Sequence, residues 1–103
     1  VSREVAEQVK SLAVLAREAG MDGVVASPRE IEIIRKVCGR EFLIVTPGVR
    51  PVWASLDDQH RVMTPGEAYK LGATHLVIGR PITGAADPIE ACRNIISEME
   101  ERA

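Results

Sequence analysis

The sequence predicts a parallel α/β fold, and three observations carry that prediction. Short unbroken apolar runs alternate with segments of helical periodicity. The later helical segments each open on a Ser, Thr or Asp followed by Pro and then, one residue further on, Glu. No hairpin signal joins one apolar run to the next, so successive strands must be linked by helical crossovers and run parallel.

Each element follows from a local pattern. Val5, Val9, Leu12, Ala13, Ala16 and Ala19 recur at helical spacing and stop at Gly20, a residue suited to a left-handed cap. Val24-Val25-Ala26 then reads as a strand buried on both faces. Ser27-Pro28-Arg29-Glu30 is a capping box with proline at the first helical position, and the helix that it opens runs to Gly39. Phe42-Leu43-Ile44-Val45-Thr46 repeats the buried-strand signature. After Pro47-Gly48 no periodicity holds until Thr64, and a loop of that length is expected to carry function, here as a closing lid over 47–64. Thr64-Pro65-Gly66-Glu67 opens a short helix that stops near Gly72, and His75-Leu76-Val77-Ile78 is the third strand. Asp87-Pro88-Ile89-Glu90 opens the final helix, whose apolar stripe is Ile89, Cys92, Ile96 and Met99 and whose acidic Glu98–Glu101 end reads as a solvated face.

Composition narrows the function classes. The chain has 103 residues, 13 of them basic and 15 acidic, for a net charge of -2, so no cationic face is available for a nucleic-acid backbone. Its apolar runs are far shorter than a bilayer span and the first residues do not build a signal peptide, which gives the expectation of a soluble protein without a membrane partner. Cys38 and Cys92 share no metal-ligand spacing and read as reduced core fillers in a cytoplasmic protein. At this length the chain is one small domain or part of one. Three parallel strands leave two open edges that further chain or another subunit must cover.

The candidate site lies at two strand ends. Thr46-Pro47-Gly48-Val49-Arg50-Pro51 and Val77-Ile78-Gly79-Arg80-Pro81 each deliver a guanidinium just beyond a strand, the second beside a glycine whose backbone N–H an anion can approach. In (β/α)8 barrels a phosphate site commonly forms from the loops after strands seven and eight, so the pair reads as a phosphate clamp. The competing readings are a structural ion pair for Arg80, a surface salt bridge for Arg50 and a tight turn for Gly79. Gln59 by itself is an ordinary solvated loop residue, as are the charges of Asp57, Asp58 and His60. His75 lies at the strand start, the wrong end for catalysis, and the capping box accounts for Ser27. No residue is assigned a catalytic role.

Taken together, Gly23-Val24-Val25-Ala26-Ser27, Val45-Thr46-Pro47-Gly48-Val49-Arg50-Pro51, Asp58-Gln59-x-Arg61-x-Met63-Thr64-Pro65 and Val77-Ile78-Gly79-Arg80-Pro81-Ile82-Thr83 resemble the orotidine 5'-phosphate decarboxylase family, most closely its bacterial form. The resemblance implies that residues 1–103 are the C-terminal part of a single (β/α)8 barrel, from the helix after strand five through the final helix. It also implies that Arg50, Gln59, Gly79 and Arg80 contact the substrate, with Gln59 and Arg80 gripping its 5'-phosphate, and that Pro47 and Val49 lie near the nucleotide. The family converts orotidine monophosphate to uridine monophosphate and carbon dioxide in pyrimidine biosynthesis, without metal or organic cofactor, and the resemblance implies a homodimer. Its Asp-x-Lys-x-x-Asp motif, which protonates the carbon that loses carbon dioxide, is absent from the 103 residues. The segment alone is therefore expected to be inactive. Two other functions remain open at this point: a decarboxylase or isomerase of another sugar phosphate, and a non-catalytic phosphate-binding or assembly half-barrel.

Overall fold

A computed structural model describes residues 3–51 and 62–102. The chain begins with helix α1 (Arg3–Glu18), followed by strand β1 (Gly23–Val25), a single 3-10 turn at Pro28–Glu30 and helix α2 (Ile31–Cys38). Strand β2 (Leu43–Thr46), helix α3 (Pro65–Leu71), strand β3 (His75–Leu76), a one-turn helix α4 (Arg80–Thr83) and helix α5 (Pro88–Arg102) complete it. The three strands form a parallel sheet in the order β1-β2-β3, as the crossover pattern requires. Gly23 pairs with Leu43, Val24 with Ile44 and Val25 with Val45 on one side of β2, and Val45 with His75 and Thr46 with Leu76 on the other.

The turns between elements are built as the sequence signals require. Gly20 adopts φ 91°, its N–H donates to the Arg17 carbonyl and the Met21 N–H reaches back to Ala16, the two bonds of a Schellman ending. Thr64 and Glu67 form a reciprocal capping box: the Glu67 N–H donates to Thr64 Oγ1 at 3.2 Å and the Thr64 N–H to Glu67 Oε1 at 3.0 Å. At Ser27 the glutamate half is made, from the Ser27 N–H to Glu30 Oε1 at 3.2 Å, while the Glu30 N–H bonds the Ser27 backbone carbonyl. Asp87 Oδ1 accepts from the Glu90 N–H at 3.2 Å and starts α5. The strands are shorter than the apolar runs. Phe42 is buried just before β2, and β3 ends at Leu76 although the Val77 N–H still donates to the Thr46 carbonyl at 3.0 Å. The sequence reading has no counterpart for α4, because one helical turn is too short to establish a periodicity.

Strand alternation divides the sheet into two unlike faces. Ile44 and Thr46 are fully buried, and Ile44 packs with Ala13 of α1, Ile31 and Ile34 of α2 and Ala68 of α3, with Val24, Leu76 and Ile78 at the margin of that core. The other face is apolar and uncovered: Val25 is 72% exposed, Val77 53% and Leu43 40%. The helices at either end of the sheet behave alike. On α1 the buried line runs through Ala13, with Val9 and Ala16 packed against the core, whereas Leu12 and Leu15 face outward.

On α5 the buried residues are Ala91 and Ile95, and of the stripe picked out by the sequence only Met99 is half-buried. Ile89, Cys92 and Ile96 are exposed, so Cys38 fills the core as expected and Cys92 does not. The acidic end is also more than a solvated face. Glu98 is half-buried and its Oε2 accepts from the Gly66 N–H at 3.2 Å, satisfying an orphan donor in the first turn of α3. A carboxylate from a distant helix is invisible to a periodicity search because the contact is purely tertiary.

Arg35 ties the amino end of the sheet together. Its Nη1 donates to the carbonyls of Gly39 at 2.6 Å and Phe42 at 2.7 Å, and its Nη2 donates to the Gly72 carbonyl. One guanidinium thus joins the end of α2, the entry to β2 and the end of α3. Replacing it strands three carbonyls, and charge-assisted bonds of this kind contribute about 1.5–3 kcal/mol each before compensation by water. Arg35→Ala is expected to lower unfolding free energy by about 2–4 kcal/mol in urea titration, and Arg35→Lys to recover less than half of it, because an ammonium lacks the planar fork. Gly23→Ala is expected to cost about 2–3 kcal/mol in the same measurement. A Cβ there would lie 2.2 Å from the Leu43 carbonyl oxygen and force β1 away from β2.

Candidate functional site

The carboxyl ends of β2 and β3 are held side by side, since Thr46 pairs with Leu76 and its carbonyl accepts from Val77. Two short segments leave from there. From β2 the chain passes through Pro47, Gly48 at φ 82°, and Val49 to Arg50, whose N–H donates to the Met63 carbonyl at 3.0 Å. That bond joins the outgoing leg at Arg50 to the incoming leg that leads into α3. Both legs are packed down: Val49, Pro51, Thr64 and Pro65 are buried. Arg50 is half-buried at this junction.

The second segment, from β3, reaches Gly79, the residue that caps α4, and Arg80, its first helical residue. The Ile82 and Thr83 N–H groups donate to the Gly79 carbonyl at 2.9 and 3.0 Å, and Gly84 closes the turn on the Arg80 carbonyl at 2.8 Å. Those donors are committed internally. The Gly79 and Arg80 N–H groups have no partner among the described residues. No atom of a described residue beyond its chain neighbours lies within 4 Å of the position a Gly79 Cβ would take, so the space before this backbone is open. A tight turn and the approach of an anion both stay open as uses of the missing side chain.

Four arginines bear on the two ends of the sheet, while Arg29, Arg40 and Arg93 make no side-chain hydrogen bond or ion pair to a described residue. At the amino end of the sheet Arg35 is committed to three carbonyls, and on α1 Arg17 Nη1 donates to the Val37 carbonyl at 2.7 Å. At the carboxyl end, neither the Arg50 nor the Arg80 side chain makes a hydrogen bond or ion pair to a described residue, and Arg80 is exposed. Within those limits the salt-bridge readings have no partner. Two guanidinium groups and two backbone donors around adjacent strand ends, beside the start of a short extra helix, form a set suited to a phosphate dianion.

The other residues singled out by the sequence sit elsewhere. Gln59, Asp57, Asp58, His60 and Arg61, together with most of the expected lid over 47–64, lie outside the described residues. Pro47 is half-buried and Val49 buried beside Arg50. His75 starts β3, at the opposite end, where its Nδ1 lies 3.0 Å from Thr74 Oγ1. Lys10, Lys36 and Lys70 are all helical, on α1, α2 and α3. Among the described residues no group of three His, Cys, Asp or Glu side chains could hold a metal ion, and no helix is long and apolar enough to cross a membrane.

The chain as a whole is similar to known proteins. Residues 2–95 match the family described as orotidine 5'-phosphate decarboxylase / HUMPS. The chain is 64% identical over 100 residues to the orotidine 5'-phosphate decarboxylase of Moorella thermoacetica, covering 97% of this chain and 40% of that protein. It is 63% identical over 95 residues to that of Geotalea uraniireducens, covering 92% and 39%. The crystal structure of orotidine 5'-phosphate decarboxylase from Lactobacillus acidophilus superimposes with a TM-score of 0.77 at 42% identity, covering 92% of this chain and 38% of that one. The chain thus spans about two fifths of the length of the curated relatives it matches.

Proposed function

Because the chain belongs to the orotidine 5'-phosphate decarboxylase / HUMPS family, we propose that it is the phosphate-gripping part of an orotidine 5'-phosphate decarboxylase. In this reading residues 1–103 are one segment of a single (β/α)8 barrel, from the helix after strand five through the final helix. The whole protein removes carbon dioxide from orotidine monophosphate to give uridine monophosphate. It needs no metal or organic cofactor, and it works in the cytoplasm as a homodimer.

One observation carries the reading: among the described residues, the Arg50 and Arg80 side chains, which follow two adjacent strand ends, and the Gly79 and Arg80 N–H groups have no partner. A 5'-phosphate would take charge-assisted bonds from Arg80 and the two backbone donors, with Gln59 gripping from the other side. Arg50 would reach the nucleotide along the mouth of the site. The uncovered apolar sheet face and the outward stripes of α1 and α5 support the segment reading, since in a closed barrel the inner face is packed and every helix has two neighbours.

The chemistry divides along the same line. Decarboxylation leaves an electron pair on the pyrimidine ring carbon, which must take a proton. No lysine of this segment stands at a strand's carboxyl end to supply one. The segment contributes binding energy remote from the reacting carbon, which accelerates reaction when it is realised in the transition state. By itself it is inactive. The high identity to relatives named for the nucleotide enzyme favours orotidine monophosphate over another sugar phosphate.

In the complete enzyme, Arg80→Ala is expected to lower kcat/KM for orotidine monophosphate by about 3–4 kcal/mol, several hundredfold or more. Steady-state assay of the two proteins measures it. An unchanged kcat/KM would remove Arg80 from the site, and a parent enzyme that turns over a different sugar phosphate but not orotidine monophosphate would replace the substrate.

A further inference from the structure

The first turn of α3 closes on an acceptor supplied from the last helix of the chain. Pro65, at the first helical position, has no N–H, so Gly66 and Glu67 carry the first donors that the helix itself cannot satisfy. Thr64 has one side-chain oxygen, and the capping box commits it to the Glu67 N–H at 3.2 Å. The Gly66 N–H is left over on a buried residue, and Glu98 Oε2 of α5 accepts from it at 3.2 Å. The Ala68 N–H then begins the regular ladder on the Thr64 carbonyl at 3.0 Å, so every donor of the turn is engaged. The same turn anchors the arginine leg. Met63 directly precedes Thr64, and its carbonyl accepts from the Arg50 N–H at 3.0 Å. Val49 and Pro51, on either side of Arg50, are buried, so this bond and its two neighbours clamp the backbone that carries the guanidinium. Hydrogen bonds and peptide links thus run unbroken from Glu98 through Gly66, Thr64 and Met63 to Arg50.

We propose that Glu98 is a positioning residue: by holding the Gly66 N–H it fixes the first turn of α3, and through Met63 it fixes the backbone from which Arg50 reaches the nucleotide. The proposal rests on the phosphate-site reading above. A guanidinium delivers its full binding energy only where its base is already in place, so slack at Met63 is lost as affinity. What Glu98 must supply is an acceptor oxygen at the right reach, which the isosteric amide of glutamine also has. Glu98 touches no ligand and acts only through Arg50.

The experiment uses the complete enzyme with Glu98→Ala, Glu98→Gln, Arg50→Ala and the Glu98→Ala, Arg50→Ala double variant. Uridine monophosphate is the probe, and the readout is calorimetric Kd well below each protein's melting temperature. Glu98→Ala is expected to bind about fivefold more weakly than the parent, and Glu98→Gln within about twofold of it. In the Arg50→Ala background, adding Glu98→Ala is expected to cost less than about twofold, since a residue that acts through Arg50 then has nothing left to position. A merely structural role would lower the melting temperature and leave the Kd of the folded protein at the parent value, and that result overturns the proposal. So does a Glu98→Gln as weak as Glu98→Ala, or a full loss that persists without Arg50. If Glu98→Ala does not fold, the same cycle is run with Glu98→Asp, which withdraws the acceptor by one methylene, and the same outcomes decide. Failure of the underlying site reading is distinct: the parent would not bind the probe, or Arg50→Ala would bind it as tightly as the parent.

Discussion

Because β2 is hydrogen-bonded on both sides, its two-residue alternation dictates the orientation of everything around it. Ile44 and Thr46 point into the helical layer, and the register carries Val24 and Leu76 to the same side. Leu43 and Val45 point the other way, with Val25 and His75. A slip of one residue would exchange the two sets and expose the core. The parallel direction then brings both strand ends out at one edge, so the residues after Thr46 and after Leu76 meet there without any contact designed to join them.

Charge is distributed according to this polarity. At the amino edge the arginine side chain is spent on carbonyl oxygens at the ends of α2 and α3 and at the entry to β2. At the carboxyl edge the backbone carbonyls are engaged in ladder and turn bonds, such as Val77 to Thr46 and Ile82 to Gly79, and the arginines have no such claim on them. The same residue type therefore holds the scaffold at Arg35, whereas Arg50 and Arg80, like Arg40 at the amino edge, make no side-chain bond to a described residue.

Much of this was legible in the sequence because it is local. The Ser27, Thr64 and Asp87 caps, the Gly20 ending and the three apolar runs are each settled within a few residues, and each has its counterpart in the structure. Arg50, Gly79 and Arg80 were legible as strand-end residues for the same reason. What failed was long-range. The α5 stripe through Ile89, Cys92 and Ile96 has the right period, but Ala91 and Ile95 are the buried residues of a helix that packs on α3 and α4. Periodicity gives the existence of an apolar face and not which neighbour covers it. Helix α4 was too short to register.

Glu98 links these levels. Its carboxylate reaches from α5 to the first turn of α3, where Thr64 and Glu67 have already bound two of the orphan donors, and so it finishes the leg that meets Arg50 through Met63. That makes assembly order matter. During synthesis the two arginine-bearing segments are made before Glu98, and until α5 docks the Gly66 N–H at the start of α3 is left to water. The frame from which Arg50 departs is thus completed by the last helix of the chain described, and a nascent chain lacking α5 would hold that leg by the capping box alone.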